Sequence, residues 1–245
     1  IPLRLVGSEM CIRDSFYGCG FTSLPSTLTL ASLTNGSSMF EASQLTSLPS
    51  AMTLANLTNG YSMFFGVPIT SLPSTMTLES LSDGSYMFYN GSLASLPSVM
   101  TLSSLTNGTA MFYKNSLTSL PSVLTLASLT NGGQMFEDNQ LTDLPSAITL
   151  ANLTNGTNIF KGSTINTTRY SQLLVDLENL NTNNSFNFHA GSSKYNVPGQ
   201  TARNILTSAS RNITITDGGF FGFQFTVITS NCLLYTSDAA DEGLG

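Results

Sequence analysis

His189 is the only histidine in the chain, and it ends the alternating segment 185–189 with no neighbouring nucleophile to activate. A histidine works as a general base only within hydrogen-bond reach of the proton it removes, so His189 reads as structural or simply exposed. The densest carboxylates are Glu137, Asp138 and Asp143. They have neither the paired arrangement of acid–base hydrolysis nor the alternating oxygen ligands of a calcium loop, and read as a solvated edge. Cys19 lies between two terminal segments that hold the other cysteines, Cys11 and Cys232. One cysteine outside those segments does not make a disulfide framework or a metal cluster. The expectation is a protein that is not an enzyme, with no catalytic residue, no cofactor and no metal site.

The residues with recognition chemistry are aromatic. Tyr61, Phe65, Tyr86, Tyr89 and Tyr113 stand at points of a repeating pattern where other copies carry Ser, Thr, Glu or Lys. On neighbouring coils such rings lie about 5 to 10 Å apart, close enough to form one patch. That patch could stack on sugar rings or take the side chains of a protein partner. The competing role is to shield the turn beneath them.

The element that must position these rings is the sequence LTSLPSAMTLANLTNGYSMFFGVP, residues 45–68. It recurs without a gap in six copies beginning at Phe21, Leu45, Ile69, Leu93, Leu117 and Leu141, a strict period of 24 residues over 21–164. A fixed period of this length is the signature of a solenoid whose coils stack. Apolar residues recur at the Phe21, Leu24, Leu30, Leu33, Met39 and Phe40 positions of each copy, with only Ile159 replacing Met. Stacked on their equivalents, they form a core that no single copy could bury. Pro25 and its equivalents remove a ladder donor, so the short strand ahead of each is expected to stop there. The pair Asn35-Gly36, kept as Asp83-Gly84 in one copy, suits a corner with positive φ and an asparagine column bonded between coils. The Met-Phe stretch after it is expected to form a helical or 3₁₀ turn. The column Thr29, Thr53, Thr77, Thr101, Thr125 and Thr149 could make a hydroxyl ladder of the ice-binding kind. A leucine column follows it, and a threonine row also suits any β surface.

At Ile165 the period ends. Tyr170, Leu173, Leu174, Leu177 and Leu180 share a helical face, with Thr167 and Thr168 as candidate N-caps. Residues 185–189 and 211–216 alternate like strands, and Pro198 opens a second helix carrying Ala202, Ile205, Leu206 and Ala209. This α/β unit, 165–219, is expected to cap the last coil, because an uncovered coil exposes both core and edge. Residues 220–231 read as the start of a following segment.

The ends have a different character. Residues 1–15, with LVGSEMCIRDS, resemble a translated transposase-type sequencing adapter, and 232–245, with CLLYTSDAADE, resemble the reverse complement of its companion. Both are expected to be adapter artefacts, so that the chain is a fragment; the repeat region proper is then 16–164, a partial coil followed by six full ones. Of the net charge of −6, three come from Asp238, Asp241 and Glu242. The remainder is weakly acidic, which argues against nucleic acid as a partner. Within 21–164 only Glu41, Glu79, Asp83, Lys114, Glu137, Asp138, Asp143 and Lys161 are charged. Such a Ser/Thr/Asn surface is more typical of extracellular repeat proteins than of cytosolic enzymes.

FYGCGFTSLPS, residues 16–26, and the recurring Met-Phe and Leu-Thr-Ser-Leu elements resemble the BspA-like bacterial surface proteins, a leucine-rich-repeat family. SSKYN at 192–196 and ITDGG at 215–219 are similar to the segment that ends such arrays. The copy length of 24 residues and Leu-Thr-Asn-Gly in place of the more usual Val-Thr-Asn-Met depart from that pattern. The resemblance implies a leucine-rich-repeat-like solenoid of short parallel β-strands with helical or 3₁₀ turns, closed by a small α/β cap. It also implies extracellular or cell-surface display, adhesion, and binding to a host, matrix or cell-surface protein or glycan, without catalytic residues and without membrane insertion in this stretch. The alternative is a structural spacer of a phage or appendage fibre.

Overall fold

The computed structural model describes residues 16–222; the expected adapter segments and most of 220–231 lie outside them. Successive copies of the repeat sit one on another, joined by main-chain bonds that leap from one copy to the next. In the turn after each Gly, alternate N–H groups point in two directions. Gly36, Ser38, Phe40 and Ala42 donate to the carbonyls of Asn59, Tyr61, Met63 and Phe65 in the next coil, at 2.8–2.9 Å. The intervening Met39, Glu41 and Ser43 donate back within their own coil to Gly36, Ser38 and Phe40. With Ser37 N–H bonded to Asn35 Oδ1, every donor of this turn is satisfied, which a buried backbone requires.

This pattern replaces two expected features. The Met-Phe stretch is a chain of β-turns, neither helical nor 3₁₀, because half its donors go sideways to the next coil. The segments ahead of the prolines form no strand, and the parallel bridges lie instead at the Asn-Gly corner, from Asn35 through Asn59, Asp83, Asn107 and Asn131 to Asn155. Tight turns are the reason. In the coil that starts at Leu45, Met52, Leu57, Met63, Phe65 and Val67 each donate to the carbonyl three residues back, so no run long enough for a strand survives.

The corner glycines also differ from expectation. Gly36, Gly60, Gly84, Gly108, Gly132 and Gly156 are absent from the residues at positive φ, whereas Ser38, Ser62, Tyr86, Ala110, Gln134 and Asn158 are all found there. Glycine is needed at the corner for space: a Cβ on Gly84 would come within 2.9 Å of Met111 Sδ, and one on Gly108 within 3.0 Å of Met135 Sδ. The neighbouring asparagine mostly bonds within its own coil, as in Asn59 Oδ1 accepting from Tyr61 N–H at 3.0 Å. Its inter-coil bond is seen from Asn155 Nδ2 to Asn131 Oδ1. Asn56 and Asn152 also donate across coils, to the Ala31 and Ala127 carbonyls, and Asn115 and Asn139 do so from buried positions. Asn115 accepts from Leu93 N–H and donates to the Phe88 carbonyl, and Asn139 does the same for Leu117 and Phe112.

The core is a column of rings. Phe40, Phe64, Phe88, Phe112, Phe136 and Phe160 are buried, and each stacks on the next at 5.4–5.7 Å with planes within 7°. The methionines of the preceding column and the leucines of the Leu30, Leu33 and Leu45 columns pack around it.

Helix α1 (Thr167–Leu180) starts at Asn166, whose side chain accepts from Arg169 N–H, so the N-cap lies one residue before the threonines expected to fill it. Strands β1 (Asn187–His189) and β2 (Thr214–Thr216) pair in parallel, and α2 (Val197–Leu206) lies between them in sequence and packs on α1. This unit meets the last coil as a further coil would. Asn187 and His189 carbonyls accept from Gly156 and Phe160 N–H, and Phe188 ends the ring column edge-on against Phe160, at 80°. Carbonyls that the coil leaves open are taken by side chains. Arg169 donates to Leu144, Pro145 and Ile148, and Asn181 to Leu150 and Leu153. Phe220, the first residue of the expected following segment, forms a parallel bridge with Tyr195 of the capping unit.

Candidate binding surface

The site is built from three positions of the repeat. Tyr61 follows the Gly corner, Tyr86 holds the next position one coil later, and Phe65, Tyr89 and Tyr113 follow Met-Phe in three successive coils. Because each coil copies the backbone of its neighbour, equal positions are forced into register. Phe65 and Tyr89 stack at 4.6 Å and 1°, and Tyr89 and Tyr113 at 4.7 Å and 12°. Tyr86 meets Tyr89 at 5.8 Å and Tyr61 at 5.9 Å, the latter edge to face. All five residues thus form one continuous patch. Four are half-buried and Tyr61 is 44% exposed.

This geometry decides what the patch can recognise. Tyr89 is sandwiched on both faces, and Lys114 Nζ sits 5.3 Å over the Tyr113 ring. The Phe65–Tyr113 ladder therefore presents ring edges and two phenol hydroxyls outward, so stacking of a sugar on an open ring face is left mainly to Tyr61. Edges and hydroxyls suit apolar side chains flanked by hydrogen-bonding groups. Tyr86 adds backbone strain, since it holds φ +59° where other coils place Ser, Ala, Gln or Asn. A bulky residue in that region is an outlier, and such outliers concentrate at functional sites.

Beyond Tyr113 the same column continues as an ion pair. Lys161 Nζ donates to Glu137 Oε1 at 2.7 Å, and Gln134 donates to Oε2. Burial alone would raise the Glu137 pKa, but hydrogen bonds from Lys161, Gln134 and Asn158 outweigh it and hold the carboxyl below its ordinary range. The bond to Glu137 in turn pushes Lys161 up. The Glu137 contribution to stability is present above the ordinary carboxylate pKa and is lost as pH falls through the depressed value. In Lys161→Met, a carboxyl NMR titration should show Glu137 titrating at higher pH than in the parent; an unchanged midpoint would show that Lys161 does not set it.

The other residues considered for chemistry have separate roles. Glu137 is buried in its ion pair, Asp138 is exposed, and Asp143 bonds to Leu144 N–H and to the Asn166 side chain. Among the described residues no group of His, Cys, Asp or Glu could hold a metal ion. The residues of the Thr29 column stay exposed or half-exposed. A bonded hydroxyl ladder forms five residues later, where Thr58, Ser82, Thr106, Thr130 and Thr154 each donate through N–H and hydroxyl to the carbonyl of the equivalent residue one coil back. The hydroxyls of this second column are engaged with the backbone.

No protein-family model, no curated protein and no solved structure matches this chain. Among the described residues no helix is long and apolar enough to cross a membrane.

Proposed function

We propose that the chain is a leucine-rich-repeat-like solenoid that acts as a non-enzymatic, surface-displayed binding module, with the aromatic patch as its contact for a protein or glycan partner. The observation that carries this reading is the meeting of Tyr61, Phe65, Tyr86, Tyr89 and Tyr113 in one partly exposed cluster. Aromatic residues dominate interface energetics, and the apolar core of the repeats does not require rings at these positions. The edge-on ladder favours a protein partner over a sugar at this patch. A second reading, a rigid spacer in a phage or appendage fibre, draws on the unbroken ring column and the main-chain bonds between coils, which resist bending.

The two readings separate on substitution of Tyr86, Tyr89 and Tyr113 by Ser. Against an array of matrix proteins and glycans, the parent chain should bind at least one member and the variant should lose that binding by tenfold or more. Each lost ring pair is worth about 0.5 to 1.5 kcal/mol, so melting falls modestly while circular dichroism is unchanged. Binding that survives the three substitutions would remove the aromatic patch as the contact, and a parent that binds nothing would favour the spacer.

A further inference from the structure

The capping unit carries a second feature on the same side of the stack. The outward positions of β1 and β2 are Asn187, His189, Thr214 and Thr216, and the strand register sets Asn187 beside Thr214 and His189 beside Thr216. In parallel strands with a side-chain period of two, these four share one face. Thr157 of the last coil adjoins them, and together they line a cavity of about 250 Å³ floored by Phe188. Thr157 and Asn158 hold the repeat positions that Tyr61 and Tyr86 hold in their coils. The cavity therefore continues the aromatic face about 14 Å farther along the stack, three coils from Tyr86.

The polar groups of this cavity are uncharged and largely uncommitted. His189 Nδ1 accepts from Gly191 N–H at 3.0 Å, which leaves the proton on Nε2 and turns that edge into a donor. Burial and the nearby Lys161 charge hold the imidazole below its usual pKa. The hydroxyls of Thr157, Thr214 and Thr216 and the carboxamide of Asn187 have no hydrogen-bond partner among the described residues. Asn158 lies near Glu137 and helps hold its carboxyl below the ordinary range. No carboxylate or cationic side chain lines the cavity. A set that both donates and accepts, with no charge and a volume just below that of drug-sized pockets, matches a small ligand whose own groups both donate and accept.

We infer that the cavity between the last coil and the two cap strands is a binding site for a neutral polyhydroxyl group, a single sugar residue or the end of a glycan chain. Nε2–H of His189 donates to a ring or hydroxyl oxygen, and the threonine hydroxyls and Asn187 pair with neighbouring hydroxyls. This site is independent of the aromatic patch, so either can exist without the other.

The test uses the full chain with a panel of free neutral sugars (hexoses, pentoses and N-acetylhexosamines) and two charged controls, glucose 6-phosphate and sialic acid. At least one neutral sugar should shift the His189 imidazole resonances saturably in the millimolar range. The double variant Thr214→Val, Thr216→Val keeps shape and strand preference, and should weaken that binding about tenfold through its lost hydrogen bonds. The Tyr86, Tyr89 and Tyr113 to Ser variant should bind the same sugar as the parent does. The inference is overturned if no neutral sugar moves His189, if a charged control binds more tightly than every neutral sugar, or if the valine variant binds unchanged.

Discussion

Phe112→Ala is expected to lower the unfolding free energy by about 3 to 5 kcal/mol, at the upper end for a large-to-small core change. Phe112 is buried in the middle of the ring column, stacked at 5.5 Å on both Phe88 and Phe136. Removing the ring takes away its transfer free energy and two aromatic contacts at once. The cavity cannot close easily, because the backbone on both sides is pinned. Phe112 N–H donates to Met135 carbonyl, and Phe88 N–H to Met111 carbonyl, each at 2.9 Å. In a stack where each coil touches only its neighbours, the loss weakens two interfaces rather than one. Urea unfolding of the parent and variant measures the difference. A loss below about 1 kcal/mol would mean that the column re-stacks across the gap, contrary to the pinned backbone. Leu96→Ala, in a column left 9% exposed at that coil, should cost less than Phe112→Ala.

The positions of the core were legible in the sequence because periodic apolar columns have one physical explanation, mutual burial. Met39, Phe40, Leu45 and their equivalents are inside for that reason. The path of the backbone between them was not legible. One positive-φ column runs through Ser38, Ser62, Tyr86, Ala110, Gln134 and Asn158, mostly residues with no preference for it, while the corner glycines are reserved for close packing; a second column, Ala42, Gly66, Asn90, Lys114, Asp138 and Gly162, does carry Gly, Asn and Asp. Glycine alone does not distinguish a need for conformation from a need for space. The same degeneracy affected asparagine. Asn35 repeats in every coil but one and bonds mostly locally, whereas the buried pair Asn115 and Asn139, one period apart, occupies its position in only two coils and does not stand out as a column.

In the capping unit, helical periodicity placed Tyr170, Leu173, Leu174 and Leu177 correctly on the buried face of α1, but Leu180, which shares that face in projection, is 50% exposed. The helix ends there, and the chain turns at Asn181 to reach the carbonyls of Leu150 and Leu153. Ile205 is likewise 43% exposed, and Ala209 lies beyond the end of α2. For the candidate site, the sequence identified which rings share a surface, since equal repeat positions must stack. It did not reveal that the Phe65–Tyr113 rings would cover each other's faces. That depends on side-chain angle, which periodicity does not encode. The cap cavity was missed because His189, Thr214 and Thr216 meet only through the parallel pairing of two strands separated by a helix.

Asp217→Ala should cost about 3 kcal/mol and act on the capping unit first. The Asp217 side chain is nearly inaccessible and joins three elements. Its Oδ2 accepts from Tyr170 hydroxyl of α1 and from Arg203 Nε of α2, both at 2.8 Å, and its Oδ1 accepts from Gly219 N–H just past β2. Removing it strands a tyrosine hydroxyl with no access to water and leaves Arg203 with only the Ile215 carbonyl and the Tyr195 ring for partners. The Arg203 side chain is 24% exposed, so solvent takes up part of that charge and the cost stays at the low end for a broken buried pair. Tyr170→Phe alone should cost about 1 kcal/mol, since it removes the donor but leaves Asp217 paired with Arg203. Because the two changes disrupt one shared hydrogen bond, the double variant should lose measurably less than the sum of the single losses. Denaturant unfolding of all four chains gives the coupling. Hydrogen exchange should show α1 and α2 losing protection while the coils around Phe112 keep theirs. Additive losses, or equal deprotection of the central coils, would rule out Asp217 as the local tie that holds the cap together.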